Sequence, residues 1–195
     1  MTEQDGVLSD ITVLDLSQGV SGPLCGKLLA GMGAVVIKAE PPGPGDKSRR
    51  AGPFVNDEPN LETSVSYLYL NMGKKSITLD IETDTGASLL RRLVRDSDIL
   101  IESYPPGFME GRELGYLDLE PINPGLVYTS ITPFGQNGPY RGYKGGDLIT
   151  QAMGGLMSIT GVAGDGLIVL SPDTLTLERC ASLGGVKSDT GIQIR

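Results

Sequence analysis

The sequence predicts an α/β fold built on a Rossmann-like, doubly wound and mostly parallel sheet. Two observations lead there. Short apolar runs rich in branched residues alternate with helix-type patterns along the chain. Glycine (28 residues), proline (13 residues) and isolated charges gather in the segments that follow those runs. In sheets of this kind ligands bind at the carboxyl ends of the strands, so those segments are where a site is expected.

Each element follows in order. Residues 11–16 (ITVLDL) form a short apolar run and read as a buried strand. The turn 17–23 (SQGVSGP) leads into a helix over 23–30, opened by a proline and closed by Gly31 and Gly33. Residues 34–38 (AVVIK) are a second strand, which makes a βαβ unit with a right-handed crossover. Residues 41–59 hold five prolines and three glycines, so this long stretch is expected to be irregular. Residues 76–81 alternate as a strand does. Residues 85–96 place Leu89, Leu90, Leu93 and Val94 on one helical face. Residues 99–101 and 126–131 read as strands, with a short helix over 108–114 between them. A glycine-rich loop at 133–146 precedes a helix over 147–157, with Asp147 as its N-cap. After Gly166 the text holds one short apolar run and no helical pattern.

The bulk numbers bound the function. The chain has 195 residues, 39% hydrophobic and 21% charged, enough for one domain with a core. No run reaches the ~18 apolar residues of a membrane span. The acidic start MTEQDGVLSD does not look like a signal peptide. Two cysteines make no disulfide framework, and the expected compartment is the cytoplasm. A net charge of −8 argues against general nucleic-acid binding. The absence of histidine excludes a histidine triad, base or metal ligand within this chain, and no metal site is expected.

The motifs are ambiguous when taken singly. Residues 22–28 (GPLCGKL) are one residue short of a P-loop and lack its Ser or Thr, so a tight strand-to-helix turn is the better reading. Asp15 lies inside the first strand, too early to bind a ribose. Lys47, Arg49 and Arg50 are either a solvated loop or a phosphate clamp. Lys74, Lys75 and Lys144 are equally open. Glu40, Asp80, Glu102, Asp147, Asp165 and Asp173 lie near loops, with no pair spaced convincingly for acid/base work.

Taken together and in order, several strings resemble one family. They are 11–18 (ITVLDLSQ), 21–23 (SGP), 28–46 (LLAGMGAVVIKAEPPGPGD), 70–80 (LNMGKKSITLD) and 98–110 (DILIESYPPGFME). NPGLVY at 123–128, SITPFGQNGP at 130–139 and DLITQAMGGLMSITG at 147–161 continue the series. This set resembles the opening of the family III coenzyme A transferases (the CaiB/BaiF family), which also contains α-methylacyl-CoA racemases. The likeness covers about residues 8–166. It divides the chain into an incomplete N-terminal CoA-binding domain, 1–166, and a divergent tail, 167–195. A frameshift or truncated product would give that pattern.

The resemblance implies transfer of CoA from an acyl-CoA donor to a small carboxylic acid through an aspartyl intermediate. It implies an interlocked homodimer for the full-length protein, with acyl-CoA as a substrate rather than a resident cofactor. The CoA-binding positions it implies are Val20, Leu79, Ile81, Tyr104, Arg112 and Lys144. Pro41 stands where some members have arginine, and Ser103-Tyr104 where many have Asn-Phe, so affinity is expected to lean on Arg49 and Arg50. Asp173 is the nearest carboxylate to the nucleophile position, and aligning it needs a four-residue deletion. A racemase of this family uses a histidine before the capping aspartate. Gly146 stands there, which weighs against that activity. An inactive fragment that at most binds CoA is the alternative.

Overall fold

The computed structural model describes residues 6–155 and 192–194. Its sheet has strands β1 (Thr12–Asp15), β2 (Val35–Glu40), β3 (Lys75–Thr78), β4 (Ile99–Glu102), β5 (Val127–Ile131) and β6 (Ile192–Ile194), in the order β3-β2-β1-β4-β5-β6. The first five run parallel, and β6 pairs antiparallel with β5. The expected mostly parallel, doubly wound sheet is therefore present. Its order reverses between β1 and β4, the place where a ligand crevice is expected at the carboxyl edge.

Helices α1 (Ser21–Gly31), α2 (Val65–Leu70), α3 (Asp84–Arg95), α4 (Tyr116–Leu119) and α5 (Asp147–Met153) complete the described elements. The α3 helix shows how sequence becomes packing. The Thr83 hydroxyl accepts the Gly86 amide at 3.0 Å and starts the helix. Leu90 and Val94 are then fully buried. They join Leu14, Leu100, Leu114, Leu119 and Tyr128 in the core on one sheet face. On the other face Val13, Val36 and Ile101 pack with Ala30 from α1. The central strands β1, β2 and β4 bury both faces, which accounts for their continuous apolar runs, whereas the edge strand β3 is mostly exposed.

Several expectations need correction. The stretch 41–59 is not irregular throughout, since it carries 3₁₀ turns at Lys47–Arg50 and Val55–Asp57. Asp46 starts the first of these by accepting the Ser48 amide. Helix α2 is an addition, started by the Ser64 hydroxyl, which accepts the Tyr67 amide at 3.2 Å. The third strand ends at Thr78 because the chain turns at Asp80, whose carbonyl accepts from Thr83. The helix expected over 108–114 shrinks to a 3₁₀ turn, Glu110–Arg112, stopped by Glu113 in the left-handed region at φ 55°. The N-cap position of α5 belongs to Gly146, which makes Asp147 its first helical residue.

Candidate functional site

The carboxyl edge begins with the turn 17–20, which is tied down from three sides. The Leu16 amide donates to the Ile101 carbonyl at 2.8 Å, and the Gln18 amide donates to the Ser103 hydroxyl at 2.8 Å. Both bonds lash the turn to β4. The Ser17 amide and hydroxyl donate to Asp15, and Lys38 donates to the Ser17 carbonyl. The Gly19 amide donates to Asp46 Oδ1 at 3.0 Å. Gly19 has φ 86°, which favours glycine. Gly22 faces the Ser17 side chain so closely that a Cβ would lie 2.1 Å from its Oγ.

Under the β1–β2 side of this edge lies a balanced ion cluster. Lys74 Nζ sits 2.7 Å from Asp15 Oδ2, and also donates to the Pro23 carbonyl and Asn71 Oδ1. Lys38 Nζ lies 2.8 Å from Asp46 Oδ2. Arg49 forks onto Glu40, with Nε to Oε2 at 2.7 Å and Nη2 to Oε1 at 2.9 Å. Tyr67 donates to the same carboxylate at 2.5 Å, and its ring lies under the Arg49 guanidinium at 3.7 Å. Burial alone would raise Glu40, but hydrogen bonds from Arg49, Tyr67 and the Asp46 amide outweigh it and hold the carboxyl at about 2. Burial draws the Lys74 ammonium below its ordinary value, against the pull of Asp15.

The β4–β5 side is different in chemistry. Glu102 is 2% exposed, and its partners are the Tyr104 amide at 2.6 Å and the Ser130 hydroxyl. Burial exceeds what these neutral donors return, so its carboxyl is pushed up to about 7. Tyr104 follows it, pushed up to about 12 by burial and then by the Glu102 charge, while the Gln18 side chain hydrogen-bonds its hydroxyl. The Tyr104 ring stacks on Phe108 at 4.4 Å and an interplanar angle of 4°. The Arg112 guanidinium lies 3.6 Å over the Phe108 ring, and its Nη1 donates to the Phe108 carbonyl at 3.1 Å. Arg112 reaches Glu82 at 3.0 Å across the mouth of an open cleft of about 670 Å³, lined also by Ile81, Ala87 and Arg91. A second cleft of about 340 Å³ opens between Glu110, Tyr116, Tyr128, Ser130 and Arg141.

The expected site residues distribute unevenly over this edge. Tyr104 and Arg112 meet through Phe108, and Ile81 lines the same cleft as Arg112. Val20 stands at the N-cap position of α1, without a side-chain capping bond. Leu79 lines a separate cleft with Leu89 and Leu93. Lys144 lies in the exposed loop 141–146. Arg50 is exposed, whereas Arg49 spends its guanidinium on Glu40, Tyr67 and Glu62. Asp173 lies outside the described residues. Gln18, Asp46, Lys38, Lys74 and Phe108 also take part in this edge, and among them only Lys74 carries a signal in the sequence, as one of the pair Lys74-Lys75 before a strand. Among the described residues there is no group of three His, Cys, Asp or Glu side chains able to hold a metal ion, and no helix is long and apolar enough to cross a membrane.

Comparison with known proteins places this edge in context. Residues 8–172 match the model of CoA-transferase family III. Succinate–glutarate CoA-transferase of Agrobacterium fabrum is 46% identical over 156 residues, covering 79% of this chain and 39% of that protein. The succinyl-CoA:(R)-benzylsuccinate CoA-transferase subunit BbsE of Thauera aromatica is 41% identical over 157 residues, covering 80% of this chain and 38% of that protein. A crystal structure of a CaiB/BaiF family protein from Brucella suis superposes with a TM-score of 0.78 at 39% identity, over 86% of this chain and 44% of that one. The chain thus spans about two fifths of the length of the curated relatives it matches.

Proposed function

The chain belongs to CoA-transferase family III, and from that premise we propose that its carboxyl edge binds the nucleotide end of coenzyme A for CoA transfer between an acyl-CoA donor and a carboxylic acid. The observation that carries this reading is the Tyr104–Phe108–Arg112 stack beside the Ile81 cleft. Stacked rings offer flat apolar surface to a base, and a guanidinium offers a fork of donors to phosphate. Glu82 competes for Arg112, but its side chain is 65% exposed. Exposed pairs of this kind contribute about 0–1 kcal/mol, so a multiply charged phosphate displaces it. Val20 and the α1 N-terminus bound the crevice on the β1 side, where backbone amides favour an anion. Lys144 and Arg50 are exposed cations available to the remaining phosphates, whereas Leu79 lines a separate cleft and is not assigned to this site.

The transfer itself needs a carboxylate nucleophile, for which Asp173 is proposed. Its oxygen attacks the donor thioester carbonyl and expels the CoA thiolate, leaving a mixed anhydride. The thiolate attacks the aspartyl carbonyl, releasing the donor as a free carboxylate and leaving an aspartyl-CoA thioester. The acceptor carboxylate attacks that thioester, and the thiolate expelled again takes the acceptor acyl group, which restores the aspartate. Two relatives are named for succinyl-CoA or succinate, which supports a dicarboxylic donor. Assembly of the full-length protein as an interlocked homodimer belongs to the same proposal. The alternative, a chain that binds CoA without transferring it, is favoured by the two-fifths coverage of the relatives.

Calorimetric titration with CoA, followed by incubation with succinyl-CoA and hydroxylamine, separates the two. CoA binding together with a protein-bound hydroxamate supports transfer. Binding without hydroxamate leaves only the binding reading, and no binding by the folded chain removes both.

A further inference from the structure

Asp46 lies in the 41–59 stretch, yet its side chain reaches back under the first turn of the fold. It is completely buried. Its Oδ1 accepts from the Gly19 amide at 3.0 Å, the Ser48 amide at 2.8 Å and the Ser48 hydroxyl at 2.8 Å. Its Oδ2 faces Lys38 Nζ at 2.8 Å, and its own amide donates to Glu40 Oε2 at 2.8 Å. Lys38 in turn donates to the Ser17 carbonyl. One carboxylate therefore joins the start of the 3₁₀ turn 47–50, the end of β2 and the middle of the turn 17–20.

The other face of that turn is open. A Cβ at Gly19 would meet nothing within 4 Å. The Gly19 peptide is held from beneath and free above, at the point where the sheet order reverses. A left-handed residue with a free outer face rotates unless its amide is fixed, and rotating it re-aims the peptide into Val20.

We infer that Asp46 is a positioning residue: through the Gly19 amide it holds the 17–20 turn in the orientation that receives CoA. This rests on the proposed CoA site, since the turn is its β1-side wall. Asp46 does not touch the ligand. It acts through backbone geometry, and Lys38 supplies its counter-charge at 2.8 Å.

The test measures CoA affinity of the full chain by calorimetry, together with amide exchange at Gly19 by NMR, in wild type, Asp46→Asn and Asp46→Ala. Asn keeps an oxygen acceptor at the same place. The expected result is roughly tenfold or greater weakening in Asp46→Ala, recovery to within about threefold in Asp46→Asn, and Gly19 protection that follows affinity rather than thermal stability. Unchanged affinity in a folded Asp46→Ala, or equal weakening in both variants, overturns the inference. Should Asp46→Ala fail to fold, Gly19 protection in wild type and Asp46→Asn decides: a protected amide in both supports the role, and an unprotected amide in wild type refutes it. Absence of CoA binding by wild type with Gly19 still protected refutes the ligand rather than the positioning of the turn.

Discussion

On the β2 side of the carboxyl edge every buried carboxylate faces a cation, whereas on the β4 side the buried carboxylate faces only neutral donors. Asp15, Glu40 and Asp46 are matched by Lys74, Arg49 and Lys38. Glu102 has the Tyr104 amide and the Ser130 hydroxyl. The first arrangement satisfies its members internally and leaves none of them for a ligand. The second leaves Arg112 lining an open cleft, where its ion pair is with an exposed glutamate and its other hydrogen bond goes to the Phe108 carbonyl. One half of the edge is internally matched framework, and the other half is the half proposed to bind.

This contrast can be broken most forcefully by unpairing the framework. Lys74→Met leaves the Asp15 charge buried without its closest cation, and is expected to cost about 3–5 kcal/mol in urea denaturation. Glu102→Gln, which removes a charge that lacks a cation, is expected to be neutral or mildly stabilising at pH 8. Equal losses in the two would erase the distinction between the halves.

The two arginines sharpen it further. Arg112→Ala is expected to weaken CoA binding roughly tenfold or more by calorimetry, in line with a lost charge-assisted hydrogen bond, with little change in stability. Arg49→Ala is expected to do the reverse: lower stability by about 2–4 kcal/mol, with affinity nearly unchanged in the folded fraction. A large affinity loss in Arg49→Ala would restore it to the ligand site.

The pH dependences have opposite signs. Glu102 has a folded value of about 7 against an ordinary 4.5, so the native state retains a proton that the unfolded chain has lost. Its stabilising contribution is full below pH 4.5 and falls as pH rises toward 7. Glu40 has a folded value of about 2, so its contribution is present above pH 4.5 and is lost as pH falls toward 2. Urea midpoints measured between pH 4.5 and 8 should decline in wild type and flatten in Glu102→Gln. The smallest expected effect is a two- to fivefold tightening of CoA binding in Glu82→Gln, which frees Arg112 from an exposed pair.

The framework was largely legible in the sequence because it depends on local period. Residues 99–101 and 126–131 could only be strands, and Leu90 and Val94 announced the buried face of α3. Helix α2 was not legible, since its start depends on the Ser64 hydroxyl and its anchor is Tyr67 reaching Glu40 across 27 residues. Nothing local in the sequence separates the roles of Arg49, one of the basic cluster Lys47, Arg49 and Arg50, and Arg112, which only the resemblance names. What separates them is a carboxylate nine residues before Arg49, placed by the return of the 41–59 stretch, and an aromatic ring four residues before Arg112. Asp46 has only a local capping partner, Ser48, within reach of a sequence reading, and its hold on Gly19 and Lys38 is not legible because those partners come from other turns of the chain.

The cancelling of charge beneath the β1–β2 edge has a consequence for encounter in solution. Three buried cations offset three buried anions, so the net −8 belongs to the rest of the chain. On the proposed CoA site, a polyanionic ligand would approach a chain of net negative charge and be attracted only at close range. Added salt shortens the reach of that charge, so capture should quicken as ionic strength rises from a low starting value.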